Sequence, residues 1–188
     1  SSAASDVYKR QTDSGNYELE YCLRDTDNSK SPIGTENQEL FRVKQPLTRG
    51  QNKISMTIPV DNPRKWDITD PYLYDLQVCL WREQETNSRE LCQQEHLRIG
   101  FRTMQFDPAR GFLLNGRKVR LNGACDHHDL GALGAAFHKE AMRRKFELMR
   151  SMGVNAVRTS HNMPAVELME LADEMGFLIV SEAFDMWE

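Results

Sequence analysis

The sequence predicts a multidomain protein in which a β part is followed by an α/β part, and three observations support this fold class. Before residue 100, short runs alternate apolar and polar residues at period two, which is typical of antiparallel sheets. After residue 138, apolar residues recur at spacings of three and four, which indicates amphipathic helices. Residues 177–180 form an unbroken apolar run, as in a parallel strand covered on both faces.

The β part is expected to be a sandwich over residues 12–103. Residues 1–11 show no periodicity and are interpreted as a non-native or disordered leader. Alternation then occurs in residues 17–21, 53–58 and 76–80, which we interpret as half-buried strands. Several short strands at this spacing favour a β-sandwich.

A hairpin is predicted at the start of the second part, residues 104–188. The dipeptide Asn115-Gly116 separates two apolar arms, residues 111–114 and 118–121. Asparagine and glycine accept the positive φ angles of a type I′ turn, so these arms are expected to pair. The second arm runs directly into a polar segment that begins at Asp126.

Two helices and two strands follow the hairpin. A helix is predicted over residues 139–152, and Gly153 is placed to end it. Its apolar face is expected to contain Met142, Phe146, Met149 and Met152. A strand at residues 154–158, a helix from Pro164 to Gly176 and a strand at residues 177–180 complete a βαβαβ pattern. Three strands leave apolar faces uncovered, so we expect the chain to be cut within a parallel sheet or barrel.

Polar residues cluster at the predicted carboxyl ends of the three strands. In α/β barrels these ends converge on a single mouth, where active sites lie. The residues are Asp126, His127, His128 and Asp129 after the first strand, Arg158, Ser160, His161 and Asn162 after the second, and Glu182, Asp185, Trp187 and Glu188 after the third. Imidazoles, a guanidinium, carboxylates and an indole suit a carbohydrate, which offers hydroxyls and an apolar ring face.

Each of these residues also has a structural explanation when it is taken alone. The histidine pair at residues 127–128 could be a hydrogen-bonded loop, Arg158 could form a structural ion pair, and Glu182 could cap or pair within the sheet. Their placement at successive strand ends favours a functional site. The histidines and aspartates could also bind a metal, but none has the i, i+4 spacing of a zinc-binding helix, so no metal and no cofactor are expected.

Composition excludes two classes of partner. The net charge is −4 and there is no basic stripe, so nucleic acid is not expected. No stretch reaches the roughly 18 apolar residues that a membrane span needs.

The four cysteines are interpreted as free thiols, with a pair between Cys79 and Cys92 left open.

The string NAVRTSH at residues 155–161 closely resembles the signature of glycoside hydrolase family 2, which includes β-galactosidases and β-glucuronidases. The resemblance extends over residues 17–188. Supporting matches are Trp66, residues 70–74, residues 100–103, Asn115-Gly116, Asn122-Gly123, His127, Pro164 and residues 173–183.

This resemblance implies an immunoglobulin-like sandwich followed by the first three strands of a (β/α)8 barrel, truncated before its end. Family members hydrolyse β-linked glycosides with retention, using two carboxyl groups about 5 to 5.5 Å apart. The acid/base follows barrel strand four and the nucleophile follows strand seven, both beyond Glu188. The chain is therefore expected to lack both catalytic residues and to be inactive, while the full-length enzyme is β-galactosidase-like and compatible with a homo-oligomer.

The resemblance also implies roles for the site residues. Arg158 corresponds to the arginine that orients the nucleophile, His127 and His161 to histidines that contact sugar hydroxyls, and Glu182 to a carboxylate at the end of strand three. Asp185 and Trp187 are placed at the same mouth by position alone. In the large β-galactosidases, residues that help to hold magnesium correspond to Met186 and Glu188 here, which again predicts no metal.

Two alternatives stay open at this point. The sandwich could be a non-catalytic carbohydrate-binding or adhesion module, which would need an independent aromatic platform, but Tyr72 and Tyr74 are better interpreted as core residues that join the domains. Within the same family, β-glucuronidase or β-mannosidase specificity is the other alternative.

Overall fold

The computed structural model describes residues 2–11, 14–26, 38–84 and 88–184. The chain divides into two compact units. The first consists of Ser1–Pro63 and Leu73–Phe101, and the second of Arg64–Tyr72 and Arg102–Glu188. None of the helices in the described ranges is long and apolar enough to cross a bilayer.

The described part of the first unit is built from antiparallel strands. In chain order they are β1 (Ser2–Gln11), β2 (Gly15–Arg24), β3 (Gln38–Leu47), β4 (Gly50–Pro59), β5 (Tyr74–Glu83) and β6 (Arg89–Ile99). One sheet pairs β1 with β4, and the other has the order β3-β2-β5-β6. Two antiparallel sheets in one unit agree with the predicted β-sandwich.

Residues Ser2–Gln11, within the segment interpreted as a non-native or disordered leader, form strand β1. It pairs antiparallel with β4 over its whole length, from Ser2 opposite Pro59 to Gln11 opposite Gly50. A sheet edge offers a row of unpaired N–H and C=O groups, and these can pair with a segment of little hydrophobic periodicity. Periodicity alone therefore missed this strand.

Strand β2 is buried on both faces, not on one as the alternation predicted. Tyr21 is fully buried on one face, and Glu18 is only 8% exposed on the other. The second face is polar, and its charges are paired: Arg42 Nε lies 2.8 Å and Arg89 Nη1 2.9 Å from Glu20 Oε2. Ion pairing lets acidic residues occupy the covered face of a central strand.

The four cysteines are free, as predicted. Cys22 and Cys79 are buried, whereas Cys92 and Cys125 are exposed. Cys79 lies opposite Gln94, and Cys92 lies in a bulge of β6 where the register shifts. The open alternative of a pair between Cys79 and Cys92 is therefore not realised.

The second unit contains three short antiparallel strands, then alternating strands and helices. These elements are β7 (Met104–Asp107), β8 (Gly111–Leu114), β9 (Arg117–Lys118), β10 (Gly123–Asp126), α1 (Lys139–Ser151), β11 (Ala156–Thr159), α2 (Val166–Met175) and β12 (Leu178–Ser181). Strands β10, β11 and β12 form a parallel sheet in that order. The βαβαβ pattern predicted from the sequence is present.

The predicted turn at Asn115-Gly116 connects β8 to β9. The φ angles are 53° at Asn115 and 79° at Gly116, both positive as a type I′ turn requires. The second arm differs from the prediction, because β9 ends at Lys118 and β10 is a separate strand that begins at Gly123. Pairing with β8 and pairing with β11 are therefore made by different segments.

Helix α1 covers the parallel sheet with the apolar face that its periodicity predicted, except at one end. Phe146 is fully buried and stacks on Phe177, with ring centroids 4.5 Å apart. Met152 is 72% exposed, so its predicted place in the core is wrong. The helix ends at Ser151, and Met152 has already left the helical path that would carry it to the core.

The segment 64–72 was assigned to the sandwich from the sequence but clusters with the second unit. Trp66 is 1% exposed, and its Nε1 donates to the carbonyl of Asp173 at 2.8 Å. The Trp66 carbonyl accepts from Asn115 Nδ2 at 2.9 Å. The segment therefore joins helix α2 to the β8–β9 turn.

Candidate functional site

The candidate site lies at the carboxyl ends of β10, β11 and β12. Parallel pairing places Cys125 beside Arg158 and Arg158 beside Val180. One residue further along, Thr159 lies beside Ser181. Residues that follow these positions leave the three strands at the same edge of the sheet, which is where parallel sheets carry their sites.

Arg158 forms the centre of the site. Its Nη2 group pairs with Glu182 Oε1, and its Nη1 group donates to Cys125 Sγ at 3.9 Å. The hydrogen bond to Cys125 and the bond and charge of Glu182 raise the pKa of Arg158 above its ordinary value. The guanidinium is therefore a permanent positive charge, oriented by groups from the strand on either side.

Glu182 joins this arginine to a histidine. Its Oε2 lies 3.0 Å from His161 Nδ1, and an ionised carboxylate can only accept, so Nδ1 donates. The backbone N–H of Glu182 donates to Thr159 Oγ1 at 3.3 Å, which ties the main chain at Glu182 to the end of β11.

His127 completes the group from the end of β10. Its ring meets the ring of His161 edge to face, with centroids 5.2 Å apart and an angle of 74° between the planes. His127 is exposed, whereas His161 is partly buried. Two imidazoles, one guanidinium and one carboxylate thus line one continuous surface.

The structure brings together four of the six predicted site residues, His127, Arg158, His161 and Glu182. Asp185 and Trp187 lie outside the described residues. Two neighbours of the site were not assigned a role from the sequence. Cys125 was considered only as a thiol, and Lys145 was not considered at all.

A signal for Lys145 does exist in the sequence. It lies three residues after Met142 and four before Met149, on the apolar face of α1. A charge on the buried face of a helix requires a partner inside. The partner is Asp126, a metal candidate from the sequence, whose side chain accepts from Lys145 Nζ at 2.5 Å. Within the described ranges, no group of three potential metal ligands is assembled.

Comparison with known proteins identifies the family. The family model described as Glycosyl hydrolases family 2 matches residues 2–102, more than half of the 188 residues. The model described as Glycosyl hydrolases family 2, TIM barrel domain, matches residues 108–185. The chain belongs to glycoside hydrolase family 2.

A sandwich domain of this family is therefore followed by the start of its TIM barrel domain, as the resemblance implied. Among curated relatives, a β-galactosidase of Bacteroides ovatus is 45% identical over 134 residues, which are 71% of this chain and 15% of that enzyme. A β-glucuronidase of Bacteroides fragilis is 32% identical over 124 residues, 65% of this chain and 17% of that enzyme.

Solved structures of the family have the same fold. A glycosyl hydrolase family 2 member from Bacteroides cellulosilyticus has a TM-score of 0.81 at 32% identity, over 99% of this chain and 24% of that one. A β-glucuronidase of Bacteroides uniformis, covalently bound to cyclophellitol-6-carboxylate aziridine, has a TM-score of 0.78 at 29% identity, over 97% and 21% of the two chains. The chain thus spans about a quarter or less of the length of these relatives.

Proposed function

We propose that this chain is the central piece of a retaining β-glycosidase with β-galactosidase-like specificity. The observation that carries the proposal is the continuous contact from Arg158 through Glu182 to His161 and the ring of His127, built from the ends of three neighbouring parallel strands. Family membership supports the reaction class, and the name of the Bacteroides ovatus relative supports galactose.

The proposed pocket wall would act by holding both the sugar and the catalytic groups. His127 and His161 would exchange hydrogen bonds with sugar hydroxyls, since imidazole nitrogens donate or accept according to tautomer. Arg158 would orient the nucleophilic carboxylate of the complete enzyme, because a guanidinium presents several donors in a fixed plane. Glu182 would keep both side chains in place. Asp185 and Trp187 are proposed further parts of this wall.

The catalytic carboxyl groups are proposed to lie beyond Glu188, in the later part of an eight-stranded barrel. Residues 104–188 would then supply the first three barrel strands, and the first unit would be an immunoglobulin-like sandwich. Retaining hydrolysis needs an acid and a nucleophile about 5 to 5.5 Å apart. This chain alone is therefore proposed to be inactive, and the longer gene product to be the enzyme.

β-Glucuronidase activity is the second candidate. Several relatives bear that name, including one that is 33% identical over 133 residues. The non-catalytic sugar-binding alternative has less support. Tyr74 is 6% exposed and packs edge to face on Phe101, with ring centroids 5.2 Å apart, and the ring of Tyr72 is covered by Arg64 at 4.2 Å. Neither ring is an open platform for a sugar.

The test compares the longer gene product with this chain on 4-nitrophenyl β-galactoside, β-glucuronide and β-mannoside. We expect the longer product to hydrolyse the galactoside fastest, and to release the β-anomer first in an NMR time course. This chain should release no nitrophenol. Turnover by the 188-residue chain that His161→Ala abolishes would contradict the proposed position of the catalytic residues, and release of the α-anomer would contradict retention.

A further inference from the structure

We propose that Lys145 is a positioning residue that holds the strand ends carrying His127 and His161 in place. Lys145 lies on helix α1, and its Nζ donates to Asp126 Oδ1 at 2.5 Å and to the carbonyl of Asp129 at 2.6 Å. The effect of Lys145 on catalysis rests on the proposed glycosidase function. Its effect on the positions of the two histidines rests on these contacts alone.

The first part of the argument concerns the turn that carries His127. Lys145 binds both ends of the segment from Asp126 to Asp129, so one ammonium group bridges the two ends of this turn. Inside the turn, His128 has a φ of 56°, in the left-handed region that side chains other than glycine rarely adopt. Surrounding contacts must hold such a conformation in place, and the two bonds from Lys145 span it.

The second part concerns His161. The backbone carbonyl of Asp126 accepts from the N–H of Ser160 at 2.8 Å. Ser160 is 2% exposed and directly precedes His161. Asp126 is therefore connected to both histidines: its side chain binds Lys145, its own chain continues into His127, and its carbonyl holds the residue before His161.

Burial makes this arrangement sensitive to the loss of Lys145. The side chain of Asp126 is only 4% exposed, against 27% for that of Lys145. A buried carboxylate that loses its counter-charge is strongly unfavourable, so the strand end that carries Asp126 must rearrange. This rearrangement alters the strand end from which His127 emerges and to which Ser160 is bonded. Lys145 thus acts through Asp126 and Asp129, not by contact with the sugar.

The structural test uses the 188-residue chain and the ring ¹H–¹³C signals of His127 and His161, assigned with His127→Asn and His161→Asn. Lys145→Met is expected to shift both sets of ring signals, and Lys145→Arg to bring them back towards the wild-type positions. Lys139→Met is the matched control, since Lys139 is on the same helix but pairs with Glu174. Ring signals unchanged in Lys145→Met would overturn the proposal.

A second measurement covers the case in which Lys145→Met does not fold. In the wild-type chain, the ammonium protons of Lys145 should exchange with water more slowly than those of Lys139, because the Lys145 ammonium donates to two acceptors, the buried Asp126 carboxylate and the Asp129 carbonyl. Equal exchange rates would overturn the proposal without any variant.

The functional test uses the longer gene product. Lys145→Met is expected to lower kcat about 100-fold with a smaller change in KM, as expected for a misplacement of about 1 Å at a catalytic site. Lys139→Met should retain the wild-type kcat, and Lys145→Arg should recover part of the loss. Shifted ring signals with an unchanged kcat would show that Lys145 positions the histidines without affecting catalysis, and would overturn that part of the proposal. A longer product without glycosidase activity would instead overturn the proposed function, and the ring signals would still decide the positioning role.

Discussion

Gly176 lies directly against the backbone of Ile68. A Cβ atom placed on Gly176 would be 2.6 Å from the Ile68 carbonyl oxygen, closer than real Cβ contacts allow. Gly176 also ends helix α2 with a φ of 72°. Two requirements for glycine therefore coincide at one position, a left-handed helix end and a close approach of the segment 64–72.

Gly176→Ala is expected to destabilise the chain by about 2 to 4 kcal/mol, the sum of about 1 kcal/mol for the left-handed conformation and the cost of overpacking against Ile68. Gly153→Ala is the matched control. Gly153 has a φ of 82° but no heavy atom within 4 Å of its added Cβ, so only the conformational cost applies. Urea unfolding of both variants measures the difference, and equal losses would contradict the close approach.

Trp66 is expected to stabilise the second unit through burial and through one hydrogen bond. Trp66→Ala should cost about 3 to 5 kcal/mol, the usual range for truncating a buried aromatic residue. Trp66→Phe keeps most of the apolar contact but leaves the Asp173 carbonyl without this donor, so we expect a loss of about 1 to 3 kcal/mol. Thermal unfolding would report both, and a Trp66→Phe variant as stable as wild type would show that the hydrogen bond contributes nothing.

Phe146→Ala should cost about 3 to 5 kcal/mol, because Phe146 is fully buried in the core between α1 and the parallel sheet. Leu148→Ala is the matched control on the same helix, since Leu148 is 55% exposed. We expect it to change stability by about 0.5 kcal/mol or less. Urea midpoints of the two variants test the predicted orientation of α1, and similar losses would contradict it.

Glu20 is expected to make the sandwich sensitive to acid. Burial alone would raise the pKa of Glu20, but hydrogen bonds and charges from Arg42 and Arg89 outweigh it and lower the pKa below the ordinary value of 4.5. The ionised form therefore stabilises the fold above about pH 4.5, and this contribution is lost as the pH falls through the lower folded value.

Glu20→Gln should consequently lower stability by about 1 kcal/mol at pH 7 and reduce the loss of stability on acidification. Denaturant unfolding at pH 7 and below pH 4 measures both effects. Glu90→Gln, a change on the exposed edge strand β6, is the control that keeps both arginine pairs to Glu20. An acid response of Glu20→Gln equal to that of the wild type would contradict the pairing.

Arg158→Lys tests the central guanidinium in the longer gene product. Lysine keeps the charge, but its single ammonium nitrogen cannot replace the two guanidinium nitrogens that contact Glu182 and Cys125. The value of kcat/KM should therefore fall about 100-fold. Arg110→Lys, in the β7–β8 hairpin, keeps its charge beside Asp107 and should leave kcat/KM unchanged. A wild-type value in Arg158→Lys would exclude a directional role for this side chain.

Local patterns in the sequence determined the elements that bury one apolar face. The spacing of Met142, Phe146 and Met149 predicted helix α1, and the dipeptide Asn115-Gly116 predicted the turn between β8 and β9. Both predictions succeeded because apolar periodicity and positive φ angles are properties of residues that are neighbours in the sequence. Patterns of this kind missed β1, β3, β6 and β7. Strand β6 is exposed almost throughout, and the sequence of β1 has no apolar periodicity, so neither shows a pattern that predicts a strand.

The sequence by itself determined the family and the polar residues at three strand ends, since the carboxyl ends of parallel strands must meet at one edge. Only the tertiary structure decided which of them touch. The pairing of Arg158 and His161 with Glu182, the closure of the His127 turn by Lys145, and the packing of Ile68 on Gly176 join residues far apart in the chain. Such contacts depend on how strands and helices pack in three dimensions, and a local pattern records only the burial of its own residues.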